Sequence, residues 1–182
     1  MTGLAIYRTA IASDWIDYNG HLRDAYYSLI VSLAADALMD RLGMNETYRT
    51  RTRCTLYTLE MHMHFLREVK KTDVVDVAVR ILGTDRKRIH AAFDLTCERY
   101  TEAVATAELM LLHVHQGEKP AAQVFPPEVL DALANVASDS GDVSASGAAA
   151  TDPANGGAVS APSTAARAAI PGSRRMQLRS RS

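Results

Sequence analysis

The segment DWIDYNGHLRDAYYSLIVSLAADALMDRL (14–42) decides the fold, because it places a polar turn directly before the most apolar helical stretch of the chain. Residues 24–42 are apolar on nearly every side, which predicts a helix buried on most faces rather than an amphipathic surface helix. We expect Asp24 to be its N-cap, although Tyr27 denies it a capping box, and Gly43 to be the C′ glycine that ends it. Such a helix needs other elements packed around it.

The segments that follow this helix have the alternation of β-strands. Strands are predicted over 3–13, 55–65, 74–82, 88–97 and 103–115, with GTDRKR (83–88) as a hairpin loop and a short helix over 126–137. In the 55–65 strand the odd positions from 57 to 65 are apolar, and the continuous apolar character of 103–115 favours an interior position in the sheet. Short connections without crossover helices predict an antiparallel sheet. The fold class is therefore α+β, a "hot dog" in which the sheet wraps around one long helix.

Composition divides the 182 residues into two parts. Residues 1–137 form the predicted hot-dog domain. Residues 138–182 are dominated by Ala, Ser and Gly and lack aromatic residues, so they are predicted to be a disordered tail. The basic end of this tail, 174–181, is either a solvated segment without a role or a contact for RNA or an anionic surface.

Charge and cysteine content narrow the class of protein. The net charge of −1 and the pI near 6.6 give no bulk attraction to nucleic acid or to an acidic membrane. The N-terminal stretch lacks the pattern of a signal peptide, and no stretch approaches the roughly 20 apolar residues of a membrane span. Cys54 and Cys97 are far apart and form no CxxC motif. We expect a cytoplasmic protein without a nucleic-acid or membrane partner.

The motif D-x-x-G-H at Asp17, Gly20 and His21, followed by Ala25-Tyr26-Tyr27 and the buried helix, resembles the 4-hydroxybenzoyl-CoA thioesterase branch of the hot-dog superfamily. The segments 15–27, 57–73 and 82–114 resemble in particular the betainyl-CoA thioesterases of carnitine breakdown, which also occur fused to carnitine dehydrogenase. The resemblance implies hydrolysis of an acyl-CoA to a free acid and CoA, without a cofactor or metal. One sheet of this size cannot bury both of its faces and its edges alone, which predicts a homodimer or homotetramer. No G-x-G-x-x-G fingerprint is present, so we expect a stand-alone thioesterase.

The resemblance assigns Asp17 as the catalytic carboxylate, which attacks the thioester or activates water; the alternative is an acid that closes an Asx-turn. The turn at Asn19 and Gly20 brings backbone N–H groups to the helix start, where partial positive charge stabilises an oxyanion. His21 either orients Asp17 or the substrate, or bonds the backbone. Asp24 would compete with an oxyanion there, so we expect it to face away from the site.

Three further groups are candidates for substrate binding. Glu60 matches a glutamate of the carnitine-type relatives and either contacts a cationic acyl group or water, or is a solvent-facing strand residue. Two or three aromatic residues would form a cage for a trimethylammonium group, unless they are core residues; the candidates are Trp15, Tyr18, Tyr26, Tyr27 and Tyr57. The basic loop of Arg86, Lys87 and Arg88 either holds the CoA phosphates or is a solvated hairpin tip.

The sequence also fits two other classes of protein in part. His62, His64 and Glu68 have the H-x-H-x-x-x-E spacing of a cupin metal site, with His113 and His115 as further candidate ligands. A long buried helix, however, has no place in a cupin barrel. A non-catalytic hot-dog module that binds CoA or an acyl group is the second alternative. Asp17 argues against it, because a binding module does not need a carboxylate beside the scissile carbonyl.

Overall fold

A computed structural model describes residues 3–140. Of the predicted tail, 138–182, the part from residue 141 onward lies outside these residues, whereas residues 138 and 139 end the last helix. The helices and strands are β1 (Leu4–Ala10), α1 (Asp24–Arg41), α2 (Glu46–Thr52), β2 (Cys54–Phe65), β3 (Val74–Thr84), β4 (Arg88–Cys97), β5 (Ala105–His115), β6 (Ala121–Ala122) and α3 (Pro127–Asp139). The sheet is antiparallel, with strand order β1-β3-β4-β5-β2 and β6 on β5, so the α+β hot-dog prediction and the interior position of β5 are confirmed. Within 3–140, no helix is long and apolar enough to cross a membrane.

Helix α1 forms the centre of the core. Its buried side chains lie on several faces: Tyr27, Ile30, Val31, Ala34, Ala35, Leu38 and Met39. Gly43 has φ +76° and follows the last helical turn, as predicted for a C′ glycine. The N-cap is Arg23 rather than Asp24, because the Arg23 N–H donates to the Trp15 carbonyl at 3.0 Å and holds Arg23 extended. Asp24 is therefore the first helical residue.

Helix α2 was not predicted. Asn45 caps its start by accepting the Tyr48 N–H at 3.1 Å, and Arg53 ends it at φ +57°. The buried Tyr48 hydroxyl lies 3.0 Å from His113 Nε2, and His113 Nδ1 lies 3.0 Å from the Gln123 carbonyl oxygen. His113 is thus a hydrogen-bonded core residue rather than a metal ligand.

Strand β2 lies at one edge of the sheet and contains a bulge. The register shifts between Thr58 and Glu60, so Leu56 packs on the core before the bulge, and Met61 after it. The prediction that the apolar odd positions share the core face holds for Met61 and Met63, but it is wrong for Tyr57 and Leu59, because the extra residue reverses the alternation before the bulge. Leu59 is consequently 51% exposed.

Candidate active site

The turn that precedes α1 is organised by Asp17. Its Oδ1 accepts the N–H of Asn19 at 2.8 Å and the N–H of His21 at 3.0 Å. The His21 N–H is the largest cause that holds the pKa of Asp17 below its ordinary 3.8, and the Asn19 N–H adds to it. Gly20 has φ +82°, a conformation in which a side chain would be strained. Asp17 therefore closes an Asx-turn and is ionised at neutral pH.

The turn is fastened to the segment that follows β2. The Leu22 N–H donates to the Val69 carbonyl at 2.8 Å, and His21 pairs with Lys70 in an isolated bridge. His21 Nε2 lies 2.8 Å from Glu68 Oε2, so the histidine side chain is held by a carboxylate and not by the backbone. The Lys70 ammonium, 3.1 Å from Glu68, is the largest cause that lowers the pKa of that carboxyl, and His21 contributes. From the sequence, Glu68 is a candidate only for the metal site, because no sequence motif links it to His21.

A cleft of about 340 Å³ lies beside this turn, lined by Leu22, Asp24, Tyr27, Phe65, Leu66, Arg67 and Glu68. The expectation that Asp24 faces away is not met: its carboxylate accepts the Ala25 N–H at 2.8 Å, which keeps it at the helix start where it lines the cleft. Tyr27 is buried, its hydroxyl donates to the Arg67 carbonyl at 3.3 Å, and its ring meets Phe65 edge to face. Burial raises the pKa of Tyr27.

Within residues 3–140, one backbone N–H at the start of α1 is left without an acceptor. The Arg23 N–H bonds Trp15 and the Tyr26 N–H bonds Arg23, both at 3.0 Å, while the Ala25 N–H is taken by Asp24. Among residues 3–140, the Asp24 N–H has no acceptor. This N–H, at the positive end of α1, is suited to an oxyanion that develops on a thioester carbonyl.

The predicted aromatic set is only partly assembled. Trp15 and Tyr26 stack on each other with ring centroids 5.3 Å apart and pack against the core. Tyr18 is 94% exposed and makes no cage. Tyr57 lies near the other end of β2, eight residues or roughly 26 Å of strand before Phe65. The chain therefore brings Tyr27 and the unpredicted Phe65 together at the cleft.

Glu60 is also separated from the Asp17 turn. It lies exposed in the middle of β2, five residues or roughly 16 Å of strand before Phe65. The start of β2 lies beside the end of α1, where Thr55 contacts Met39 Sδ at 3.7 Å, and the end of β2 lies beside the first turn of α1. Glu60 and Tyr57 therefore do not reach Asp17 in one chain.

The basic loop lies at the same end of the sheet as Tyr57. Tyr57 pairs with Leu112, and Leu112 pairs with Arg88. A groove of about 420 Å³ is lined there by Asp85, Arg86, Lys87, Arg88, Leu112 and Val124. Asp85 binds the Arg88 guanidinium at 2.6 Å and accepts the Lys87 N–H at 2.8 Å, which fixes the hairpin. The groove has apolar walls and a basic rim, and it lies opposite the Asp17 end of the sheet.

Histidine side chains do not converge on a metal site in the described part of the chain. His62 and His64 lie exposed on β2, and Glu68 is engaged by His21. Across residues 3–140, no group of three His, Cys, Asp or Glu side chains is arranged to hold a metal ion.

Comparisons with known proteins agree with this architecture. The thioesterase-like superfamily matches residues 11–133. The chain is 44% identical over 127 residues to the betainyl-CoA thioesterase of Pseudomonas aeruginosa, which covers 70% of this chain and 79% of that protein. It is 35% identical to the L-carnitine dehydrogenase/betainyl-CoA thioesterase of Agrobacterium fabrum, over 71% of this chain and 26% of that longer protein.

A solved structure shows the same fold. A Staphylococcus aureus protein in complex with CoA has a TM-score of 0.69 and 29% identity, over 76% of this chain and 87% of that one. The chain therefore belongs to the thioesterase-like superfamily of hot-dog proteins. It is an acyl-CoA thioester hydrolase, as the D-x-x-G-H motif predicts.

Proposed function

We propose that the chain hydrolyses betainyl-CoA, or another short polar acyl-CoA, to the free acid and CoA in the cytoplasm. The observation that carries the proposal is the 44% identity to a betainyl-CoA thioesterase across 79% of that relative. The superfamily match spans residues 11–133, which include the Asp17 turn, the cleft and the basic hairpin. Cys54 and Cys97 are both free and buried, in keeping with a reducing compartment.

Asp17 supplies the reacting carboxylate. In one route it attacks the thioester carbonyl, expels the CoA thiolate and leaves a mixed anhydride that water then hydrolyses. In the other it accepts a proton from the water that attacks the carbonyl. The lowered pKa keeps Asp17 ionised at neutral pH for either route, and the Asp24 N–H faces the developing oxyanion. Neither route calls for a metal or a cofactor.

A homodimer through β2 would complete the site. The edge of this strand carries large exposed apolar side chains, among them Leu59 and Phe65, and an unpaired edge of this kind favours strand pairing. A two-fold axis pairs the strands antiparallel, so the start of β2 in one copy lies beside the end of β2 in the other. Tyr57 and the basic hairpin of a second copy would thereby approach the Asp17 turn. The cations of that hairpin would then contact the phosphates of a CoA whose thioester lies at the turn.

The test is the release of free thiol by the wild-type protein from betainyl-CoA, acetyl-CoA and a medium-chain acyl-CoA. We expect betainyl-CoA to have the highest kcat/KM. Faster hydrolysis of the medium-chain substrate would agree with thioester hydrolysis but contradict a short polar acyl group as the preferred substrate. CoA binding without cleavage of any thioester would instead make the chain a binding module and overturn the proposal.

A further inference from the structure

We infer that the cleft beside the Asp17 turn selects a cationic acyl group and that Asp24 is its counter-ion. The inference rests on the proposed function, since it places the thioester carbonyl at the start of α1. The cleft combines the carboxylates of Asp24 and Glu68 with an aromatic wall that includes Phe65. Neither Asp24 nor Phe65 was predicted from the sequence to select the substrate.

The charge of Glu68 is already balanced. Its carboxylate lies 2.8 Å from His21 Nε2, 3.1 Å from the Lys70 ammonium and 3.6 Å from the Arg99 guanidinium. A cationic ligand would have to compete with these three groups for the same oxygens. Glu68 is therefore a positioning residue for His21 rather than a counter-ion for substrate.

Among the described residues that line the cleft, Asp24 is the carboxylate without a cationic partner. Arg67, the cation that lines it, is paired with Glu102 and lies 5.4 Å from the centroid of the Tyr100 ring. The described contact of the Asp24 carboxylate is the Ala25 N–H, a neutral donor. A quaternary ammonium cannot donate a hydrogen bond. Its attraction to the Asp24 carboxylate is therefore electrostatic and requires only that the cation can approach the carboxylate closely.

The opposite wall suits the methyl groups of a quaternary ammonium. Phe65 is 54% exposed at the end of β2, and its ring is held edge to face against Tyr27 at 5.3 Å between centroids. Aromatic rings attract a cation placed near their faces. Leu22 and Leu66 complete an apolar lining.

The chemistry of the acyl group explains why the counter-ion lies at the helix start. In betainyl-CoA a single methylene separates the ammonium nitrogen from the thioester carbonyl. Oxyanion donor and counter-ion must therefore be close neighbours, and Asp24 supplies both, the first with its backbone N–H and the second with its side chain. A neutral acyl group gains nothing from the carboxylate, and an anionic one is repelled by it.

The test compares betainyl-CoA with 3,3-dimethylbutanoyl-CoA, in which a tert-butyl group replaces trimethylammonium without the charge. We expect wild type to prefer the cationic substrate by about tenfold or more in kcat/KM, and Asp24→Asn to remove most of that preference by lowering kcat/KM for betainyl-CoA several-fold more than for the neutral substrate. Asp36→Asn, an equal charge change on the exposed face of α1, is the matched control and should change neither. Phe65→Leu should reduce the preference a few fold.

Two outcomes would overturn the inference alone: equal hydrolysis of the two substrates by wild type, or an equal loss on both in Asp24→Asn. In either case thioester hydrolysis itself would stand. Failure of wild type to cleave any thioester would overturn the proposed function and this inference with it. Circular dichroism of each variant shows whether a loss reflects unfolding.

Discussion

The two ends of the sheet carry different chemistry. At one end, the turn before α1 places Asp17 and His21 beside a cleft with an aromatic wall, and Glu68 reaches His21 from the segment after β2. At the other, the β3–β4 hairpin places Arg86 and Lys87 on the rim of an apolar groove. Under the proposed function, the first end hydrolyses the thioester and the second holds phosphate. One substrate would then use both ends only if a second copy reversed the strand direction at β2.

The largest effect should come from separating the two ends. Leu59→Lys adds a charge to the exposed bulge of β2, so we expect a monomer by light scattering and a loss of about a hundredfold in kcat/KM, because the hairpin of the second copy no longer reaches the turn. Leu130→Lys on the exposed face of α3 is the matched control and should remain an active dimer. A fully active monomer would show that each chain carries a complete site.

Glu68→Gln should weaken the hydrolytic end alone. Loss of the carboxylate that holds His21 Nε2 is expected to lower kcat about tenfold with little change in KM, since the hairpin proposed to hold the CoA phosphates lies at the other end of the sheet. Steady-state kinetics on betainyl-CoA separate the two parameters. Glu98→Gln, which removes a surface partner of Arg8, serves as the comparison variant. A rise in KM at constant kcat would place Glu68 in substrate binding instead.

The double substitution Arg86→Ala and Lys87→Ala should weaken the phosphate end alone. We expect KM for an acyl-CoA to rise about tenfold with kcat nearly unchanged, and the remaining binding to depend less on salt. The acyl thioester of N-acetylcysteamine lacks the nucleotide, so its kinetics should be the same in wild type and variant. An equal loss on this short substrate would refute the assignment of the hairpin to phosphate.

Acid should slightly lower the stability of the fold through His113, whose backbone N–H bonds the Lys87 carbonyl of the basic hairpin. Burial lowers the pKa of His113 below its usual 6.5, so the folded protein holds it neutral while the unfolded chain takes up a proton. The free energy of unfolding should therefore fall as the pH drops below 6.5, by at most about 1.4 kcal/mol per pH unit from this group, and the decrease ends below the folded-state pKa. Thermal melts from pH 7.5 to 5 test this, and His113→Gln should reduce the slope.

Local patterns predicted the fold better than they predicted the site. The apolar run of 24–42 defined α1 because burial on all faces leaves a clear pattern, and the hairpin at 83–88 was likewise visible in the sequence. The bulge in β2 was not visible in the sequence, because one inserted residue does not change the composition of a strand. It nevertheless reverses which side chains face the core. Helix α2 was missed because its seven residues bury only Tyr48 and carry no long apolar periodicity.

The site depends on contacts between distant segments, which sequence spacing does not contain. Asp17 and His21 were identified because they lie in one motif with a local turn. Glu68 reaches His21 only because the strand that precedes it returns beside that turn. Phe65 was assigned to strand packing for the same reason. Tyr57 lies far from the turn within one chain, since β2 runs antiparallel to α1.

The most direct test of the account is the rate of thiol release by Asp17→Asn, measured beside wild type and Asp14→Asn, a matched acid three residues earlier in the sequence. The account predicts a folded Asp17→Asn protein that loses at least about a hundredfold in kcat, equivalent to about 2.7 kcal/mol, while Asp14→Asn keeps its activity. Asn retains the oxygen that accepts the Asn19 and His21 N–H groups, so the turn should persist. Activity close to wild type in Asp17→Asn would contradict the account, because Asp17 would then be no more than the acid that closes the turn.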